Sequence, residues 1–153
     1  MRKGSASCHI DAPPERVYQL VSDVTQMGEW SPETTKAEWI DGATGPAAGA
    51  RFKGSNKLGI FRWSTKPTVE VADAGREFTF VTTNGSGKKK YTRWSYKLTP
   101  SGGGTDVEES WEELAQLAVI GRFMMNDGRQ RGLNEGCAQT LERIKAAAER
   151  ADG

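Results

Sequence analysis

The middle of the chain, from about Thr34 to Leu114, alternates apolar and polar residues with a period of two. Glycine-rich turns interrupt the alternation, at 41–49, 57–59, 74–75, 84–87 and 101–104. A period of two is typical of strands with one buried face, and hairpin-length turns join such strands antiparallel. We therefore predict six consecutive antiparallel strands, near 35–40, 50–57, 60–73, 76–83, 90–99 and 105–114.

Helical signals flank this strand region on both sides. Residues 5–11 alternate as a further strand, and the Pro13-Pro14-Glu15 run then predicts a helix start. Apolar residues of this first helix recur with helical spacing, at Val17, Leu20, Val21 and Val24. We expect Thr25 to cap a short second helix that ends near Trp30.

The last predicted helix runs from about Asp127 to Arg150. Its apolar stripe comprises Leu133, Cys137, Leu141, Ile144 and Ala148. Seven strands and one long helix bury their apolar faces best when the sheet curls around the helix. We predict one α+β domain over 1–153, a seven-stranded curved antiparallel sheet wrapped around a long C-terminal helix, with two short helices after strand one.

Glycines recur every four residues in this last helix, at Gly128, Gly132 and Gly136. Each costs about 1 kcal/mol relative to alanine in a helix interior. Two explanations are equally good. Either the helix approaches the sheet closely there, or the first half of the helix covers an open cavity.

Charge and cysteine content exclude several classes of function. The 21 Lys and Arg residues balance 20 Asp and Glu residues, which argues against nucleic-acid binding by a global positive field. Because the chain has neither a signal-peptide-like apolar run nor 18 consecutive apolar residues, we expect a cytoplasmic protein without integral membrane association. Cys8 and Cys137 are predicted to be buried thiols. We expect a monomer or a homodimer.

The inward faces of the strands combine large aromatic rings with a few polar groups. Strand alternation assigns to these faces Phe52, Gly54 and Asn56, then Phe61, Trp63, Thr65, Val69 and Val71, then Phe78, Phe80 and Thr82, then Trp94, Tyr96 and Leu98, and finally Val107, Glu109 and Trp111. Each aromatic alone is more often core than pocket. Together with convergent polar groups, however, they indicate a ligand cavity.

The residues predicted to line this cavity come from most elements of the fold. They are Trp39, Phe52, Asn56, Trp63, Thr65, Val69, Phe80, Trp94, Tyr96, Glu109, Trp111, Met124, Gly132 and Gly136. Met124 belongs to the segment Phe123 to Met125, whose adaptable side chains either gate the cavity or pack in the core. The expected partner is a hydrophobic or aromatic small molecule.

Several stretches resemble the START-like helix-grip superfamily, also called SRPBCC. They are Ile10 to Tyr18, Val21 to Val24, Glu29 to Pro32, Gly49 to Gly54, Thr92 to Leu98, Gly104 to Trp111 and Thr140 to Lys145. The chain is most similar to bacterial members of the polyketide cyclase/dehydrase type. This resemblance implies a sheet that grips the last helix around a deep cavity for lipids, polyketides, sterols or other hydrophobic molecules.

Three functions remain open at this point. The first is a carrier or sequestering protein for a hydrophobic ligand. The second is a polyketide cyclase or dehydratase in which Glu109 and Tyr96 act as an acid/base pair, with Asn56 or Thr65 holding a substrate carbonyl. The alternative for Glu109 is a structural carboxylate tied to an Arg or a Trp N–H. The third function is partner docking, which an exposed apolar patch would indicate.

Other chemistry has little support in the sequence. The single histidine, His9, shares a strand face with Ser7 and Asp11 that we expect to be exposed, so the three residues form no catalytic triad. One His and two distant Cys residues predict no metal site, and no cofactor is expected. The run Lys88 to Lys90 is typical of a solvated hairpin tip.

Overall fold

Eight strands of one curved antiparallel sheet are present in the computed structural model, which describes residues 1–115 and 125–150. The strands are β1 Lys3–Ile10, β2 Thr34–Ile40, β3 Arg51–Leu58, β4 Phe61–Thr65, β5 Thr68–Asp73, β6 Glu77–Thr83, β7 Lys90–Ser101 and β8 Gly104–Glu113. The helices are α1 Pro14–Ser22, a 3-10 helix Val24–Gln26, α2 Met27–Trp30 and α3 Asp127–Glu149. Seven strands follow the path β1-β8-β7-β6-β5-β3-β2, and β4 pairs with β3 off this path. The predicted fold class is confirmed.

The predicted strand 60–73 is two strands in the structure. Lys66 and Pro67 separate β4 from β5, and proline has no N–H to donate to a strand ladder. β4 therefore folds back on β3 as the second strand of a hairpin, whereas β5 pairs mainly with β6. The β3–β4 hairpin is thus a side branch of the sheet.

Register shifts at three places bend the sheet and reassign faces. They lie between Thr34 and Lys36, Val69 and Val71, and Thr82 and Thr83. A bulge inserts one residue and increases the local twist. After the shift in β5, Val71 pairs with Thr79 and Ala72 pairs with Phe78. Ala72 therefore takes the concave face, and the expectation that Val71 points inward is wrong.

Helix α1 begins where the sequence indicates, with Pro14 in its first turn. The cap of the following 3-10 helix is Asp23, whose carboxylate accepts a hydrogen bond from the Thr25 N–H at 3.1 Å. The expectation that Thr25 is the cap is therefore wrong. The Thr25 hydroxyl itself donates to the same carboxylate at 2.5 Å, so it does not act as a cap.

Helix α3 buries the predicted stripe against the concave face of the sheet. Leu141, Ile144 and Ala148 join the main core, while Leu133 and Cys137 form a second, smaller cluster with Trp111. Arg16 of α1 donates hydrogen bonds to the carbonyls of Ala147 and Ala148. These bonds satisfy acceptors that every helix end leaves free, and they fix α3 on α1.

Steric contact explains glycine at one of the α3 positions but not at another. A Cβ at Gly136 would meet Pro32 Cγ at 3.3 Å, so the helix approaches the loop before β2 rather than the sheet. A Cβ at Gly132 would meet nothing within 4 Å. Close approach therefore explains Gly136 and leaves Gly132 without a steric reason. Cys137 is buried as predicted, whereas Cys8 is only half-buried.

Candidate functional site

A cavity of about 230 Å³ lies between the concave face of the sheet, the α2–β2 segment and the first half of α3. The apolar part of its lining comes from Met27, Pro32, Phe52, Trp63, Pro67, Phe80, Trp94, Met125 and Leu133. The polar part comes from Ser31, Glu33, Thr34, Asn56, Thr65, Thr82, Thr92, Tyr96, Glu109, Arg129, Cys137 and Thr140. The cavity borders both core clusters, because their residues Phe52 and Leu133 each contribute to its wall.

The structure brings nine of the predicted cavity residues together in this lining. They are Phe52, Asn56, Trp63, Thr65, Phe80, Trp94, Tyr96, Glu109 and Gly136. These residues come from β3, β4, β6, β7, β8 and α3, so strand alternation placed those of the strands on one side of the sheet. Met124 lies outside the described residues.

Four predicted residues lie outside the cavity lining. Trp39 packs edge-on against Phe52, with ring centroids 5.8 Å apart. Val69 is buried in the main core. Trp111 is buried beneath α3, where its indole N–H donates to Asn134 Oδ1 at 2.9 Å. Gly132 is exposed to solvent on α3. Alternation identifies the face of a strand residue but not its position along the curved sheet, which decides between core and cavity.

Glu109 and Tyr96 form a buried pair in the cavity wall. They are cross-strand partners on β8 and β7, and the Tyr96 hydroxyl donates to Glu109 Oε1 at 2.9 Å. Glu109 is only 4% exposed, and its Oε2 atom accepts no hydrogen bond from a nitrogen or oxygen atom of the described residues, although the Cys137 thiol lies near the carboxyl group. Neither an arginine nor a tryptophan N–H ties the carboxyl group down within those residues. A buried polar atom without a partner costs free energy unless another group satisfies it.

Burial decides the protonation state of this pair. It raises the pKa of Glu109 from 4.5 to about 8, against the smaller opposing effects of Tyr96 and the Cys137 thiol. The pKa of Tyr96 is also raised well above its usual value by burial and by the Glu109 charge. Near pH 7 the Glu109 carboxyl is therefore mostly neutral, and Oε2 is available to carry its proton.

The other predicted polar groups are partly committed to the protein. The Asn56 carbonyl oxygen accepts a hydrogen bond from the Thr34 hydroxyl at 2.9 Å, and the Asn56 amide lies 3.5 Å from the Gly54 carbonyl. The second contact is long for a hydrogen bond, so the amide can turn to a better acceptor. Thr65 faces the same space from β4.

An ion pair that sequence reasoning missed closes one side of the cavity. The Arg129 guanidinium at the start of α3 binds the Glu33 carboxylate through two bonds of 2.6 and 2.7 Å. Such bidentate pairs are both strong and geometrically specific. Because 96 residues separate the two side chains, no local spacing signal identifies them. The pair joins the α2–β2 segment to α3 at the cavity wall.

The charges of the site therefore cancel. Among the described lining residues, Arg129 is the one cation, and Glu33 neutralises it. Glu109 is held mostly neutral near pH 7 by burial. A buried anion or cation from a ligand would find no free partner, and an unpaired buried charge is costly. The site is suited to a neutral molecule with a carbonyl or hydroxyl group.

His9 lies outside the cavity, and among the described residues its ring nitrogens bond to two aspartates and to no serine. His9 contacts Asp106 at 2.7 Å and Asp11 at 3.1 Å on the exposed side of the sheet. Within residues 1–115 and 125–150, no group of three His, Cys, Asp or Glu side chains is placed to hold a metal ion. No helix in those two ranges is long and apolar enough to cross a membrane.

A comparison with protein-family models gives one match along nearly the whole chain. The model describes polyketide cyclases/dehydrases and lipid transport, and it matches residues 1–149. A comparison with curated protein sequences finds no significant match.

Solved structures with a similar fold are numerous. The Polyketide_cyc-like protein Cgl2372 from Corynebacterium glutamicum is 30% identical with a TM-score of 0.60, and the alignment covers 99% of this chain and 97% of that one. TTHA0849 from Thermus thermophilus is 18% identical with a TM-score of 0.77, over 99% and 100% of the two chains. Ara h 8.0201 is 14% identical with a TM-score of 0.69, over 96% and 97%.

Proposed function

This chain belongs to the polyketide cyclase/dehydrase and lipid transport family, and on that basis we propose that it binds a small molecule in its internal cavity. The proposed ligand is neutral, compact, and aromatic or polyketide-like. The role of the protein would be that of a carrier or a sequestering protein. The observation that supports this most is the buried Glu109 carboxyl group in the cavity wall, whose Oε2 has no nitrogen or oxygen partner within the described residues. A ligand carbonyl or hydroxyl would complete that hydrogen bond.

The size and the walls of the cavity favour a compact ligand. Its volume of about 230 Å³ lies below the roughly 300–1,000 Å³ typical of pockets for drug-sized molecules. Trp63, Trp94, Phe52 and Phe80 supply flat apolar surfaces on which an aromatic ring can stack. A long acyl chain would need more volume, and its carboxylate would need a free cation.

Tryptophan fluorescence tests this proposal, because Trp63 and Trp94 both line the cavity. The purified protein is titrated with the neutral phenols naringenin and 1-naphthol and with palmitate as a long-chain anion. We expect saturable quenching by at least one neutral phenol and none by palmitate at pH 7. If both phenols fail to quench, or if palmitate quenches more strongly than they do, the assignment to neutral aromatic ligands is refuted.

A second candidate function is catalysis at the same carboxyl group. Protonated Glu109 can donate its proton to the hydroxyl group that leaves during dehydration of a polyketide-like aldol, and its small charged fraction can accept a proton from an α-carbon. Exchange of the α-protons of 1-tetralone in D₂O, followed by NMR, tests this chemistry. Catalysis requires faster exchange with the wild type and loss of that acceleration in Glu109→Gln.

The remaining proposals concern the protein as a whole. We propose a single domain over 1–153 that works as a monomer or a homodimer. The cytoplasm is its proposed location, since Cys8 and Cys137 are both free thiols and reducing compartments keep thiols in that state.

A further inference from the structure

The outer end of the β3–β4 hairpin carries large apolar side chains in solvent. Ile60 is 91% exposed, Phe61 is 68% exposed and Leu58 is 44% exposed. Within residues 1–115 and 125–150, four of the five exposed large apolar side chains lie on this hairpin, the fourth being Trp63. Scattered single apolar residues are normal on a protein surface, but a contiguous group of them marks an interaction site.

These side chains continue the wall of the cavity. In the hairpin register Leu58 lies opposite Phe61, and the next pair on the same face is Asn56 with Trp63. Asn56 and Trp63 both line the cavity. One face of the hairpin therefore runs from the cavity wall to an apolar tip in water. Phe61 lies on the same face of the hairpin as Trp63, as the sequence predicts. The prediction that Phe61 is buried is wrong, because its side chain lies in solvent.

The opposite face of the hairpin is basic. Lys57 and Arg62 are direct cross-strand partners, and like charges in that position repel each other. Residues 51–66 contain five Lys or Arg residues and no Asp or Glu, in a chain whose net charge is only +1. Neither Lys57 nor Arg62 takes part in a salt bridge within the described residues. The hairpin thus combines an apolar edge with unneutralised positive charge.

We propose that the β3–β4 hairpin docks on a membrane surface that contains anionic phospholipids. Leu58, Ile60 and Phe61 enter the boundary between headgroups and acyl chains, while Lys57 and Arg62 remain at the level of the lipid phosphates. Interfacial segments bind membranes by this combination of buried apolar area and basic residues. A second copy of the chain is a poorer occupant, because two such hairpins would bring their like charges together.

Docking does not depend on a ligand in the cavity. Docking would nevertheless bring Trp63, which belongs to the cavity wall, next to the lipid. Each Lys or Arg close to an anionic surface strengthens binding by a factor of about five, and each large apolar side chain that enters the boundary contributes about tenfold. Binding is therefore expected to be reversible and to weaken with salt.

Co-sedimentation with lipid vesicles tests the proposal on the full chain without added ligand. Vesicles of phosphatidylcholine with about 30 mol% phosphatidylglycerol are compared with vesicles of phosphatidylcholine alone. We expect the wild type to sediment with the anionic vesicles and at least tenfold less with the neutral ones. Ile60→Ser/Phe61→Ser and Lys57→Gln/Arg62→Gln are each expected to lower binding at least tenfold.

The β6–β7 hairpin provides a matched control. Lys88→Gln/Lys89→Gln removes the same number of exposed charges from a tip without exposed large apolar side chains, and it should retain at least half of the binding. Unchanged thermal melting shows that each variant is folded. Failure of the wild type to prefer anionic vesicles would overturn the proposal, as would an equal loss in the control. Dimerisation abolished by Ile60→Ser/Phe61→Ser, without vesicle binding, would overturn it in favour of a second copy as the occupant.

Discussion

Replacing Glu109 by Gln should change how the stability of the protein depends on pH. The pKa of Glu109 is raised from 4.5 to about 8 by burial, so the folded protein binds this proton more tightly than the unfolded chain. A raised carboxyl pKa means that stability is lost as pH increases from about 4.5 towards 8. At 1.36 kcal/mol per pKa unit, the full effect is about 5 kcal/mol, with about 3 kcal/mol already lost at pH 7.

Glutamine keeps the shape of the side chain and cannot ionise. The free energy of unfolding of Glu109→Gln minus that of the wild type should therefore increase by about 3 kcal/mol from pH 5 to pH 8, whatever the value of this difference at pH 5. Urea unfolding at several pH values measures this difference, and titration of all other groups cancels in it.

Glu108→Gln is the matched control, because Glu108 is an exposed neighbour on the opposite face of β8. Its stability curve should run parallel to that of the wild type. If the difference between Glu109→Gln and the wild type stays constant from pH 5 to pH 8, then Glu109 is not a buried, neutral carboxyl group. The charge argument for a neutral ligand would then fail.

Three further predictions concern the packing of helix α3, each tested by urea unfolding. Gly132→Ala should stabilise the protein by about 1 kcal/mol, because the new Cβ meets nothing within 4 Å. Gly136→Ala should stabilise it less, because its Cβ would lie 3.3 Å from the ring of Pro32. Equal stabilisation by the two changes would contradict the close approach of α3 to Pro32. Leu141→Ala should cost about 2–5 kcal/mol at its buried site, and a cost below about 1 kcal/mol would contradict tight packing there. Arg129→Gln should cost about 2 kcal/mol by leaving Glu33 without its bidentate partner, and the cost should disappear when Glu33 is also replaced by Gln.

Local patterns account for the fold and for the pair of Glu109 and Tyr96. The period of two placed Glu109 between Val107 and Trp111 on an inward face, and the same period placed Tyr96 on the neighbouring strand. Both periodicity and turn residues act within a few positions along the chain. A carboxyl group on an apolar face is visible at that scale.

Features set by bends or by distant residues were not predictable in this way. The bulge after Val69 turns Val71 outward without any glycine to mark it. Pro67 divides one predicted strand, which releases the β3–β4 hairpin from the main sheet path and exposes Phe61. The pairing of Arg129 with Glu33 depends on how α3 lies across the sheet, and no spacing rule reaches that far.

The central claim, that the cavity binds a compact neutral aromatic molecule, is tested most directly by filling the cavity. Gly54 lies on its wall, where an added Cβ would meet Thr65 Oγ1 at an ordinary 3.6 Å, so Gly54→Val adds bulk to the cavity without a clash at Cβ. Ser55→Val places the same side chain on the opposite face of β3, away from the cavity. Calorimetric titration with the phenol that quenches, naringenin or 1-naphthol, should give saturable binding to the wild type and to Ser55→Val, and at least tenfold weaker binding to Gly54→Val. Equal affinity for all three proteins would show that the molecule binds elsewhere and would contradict the account.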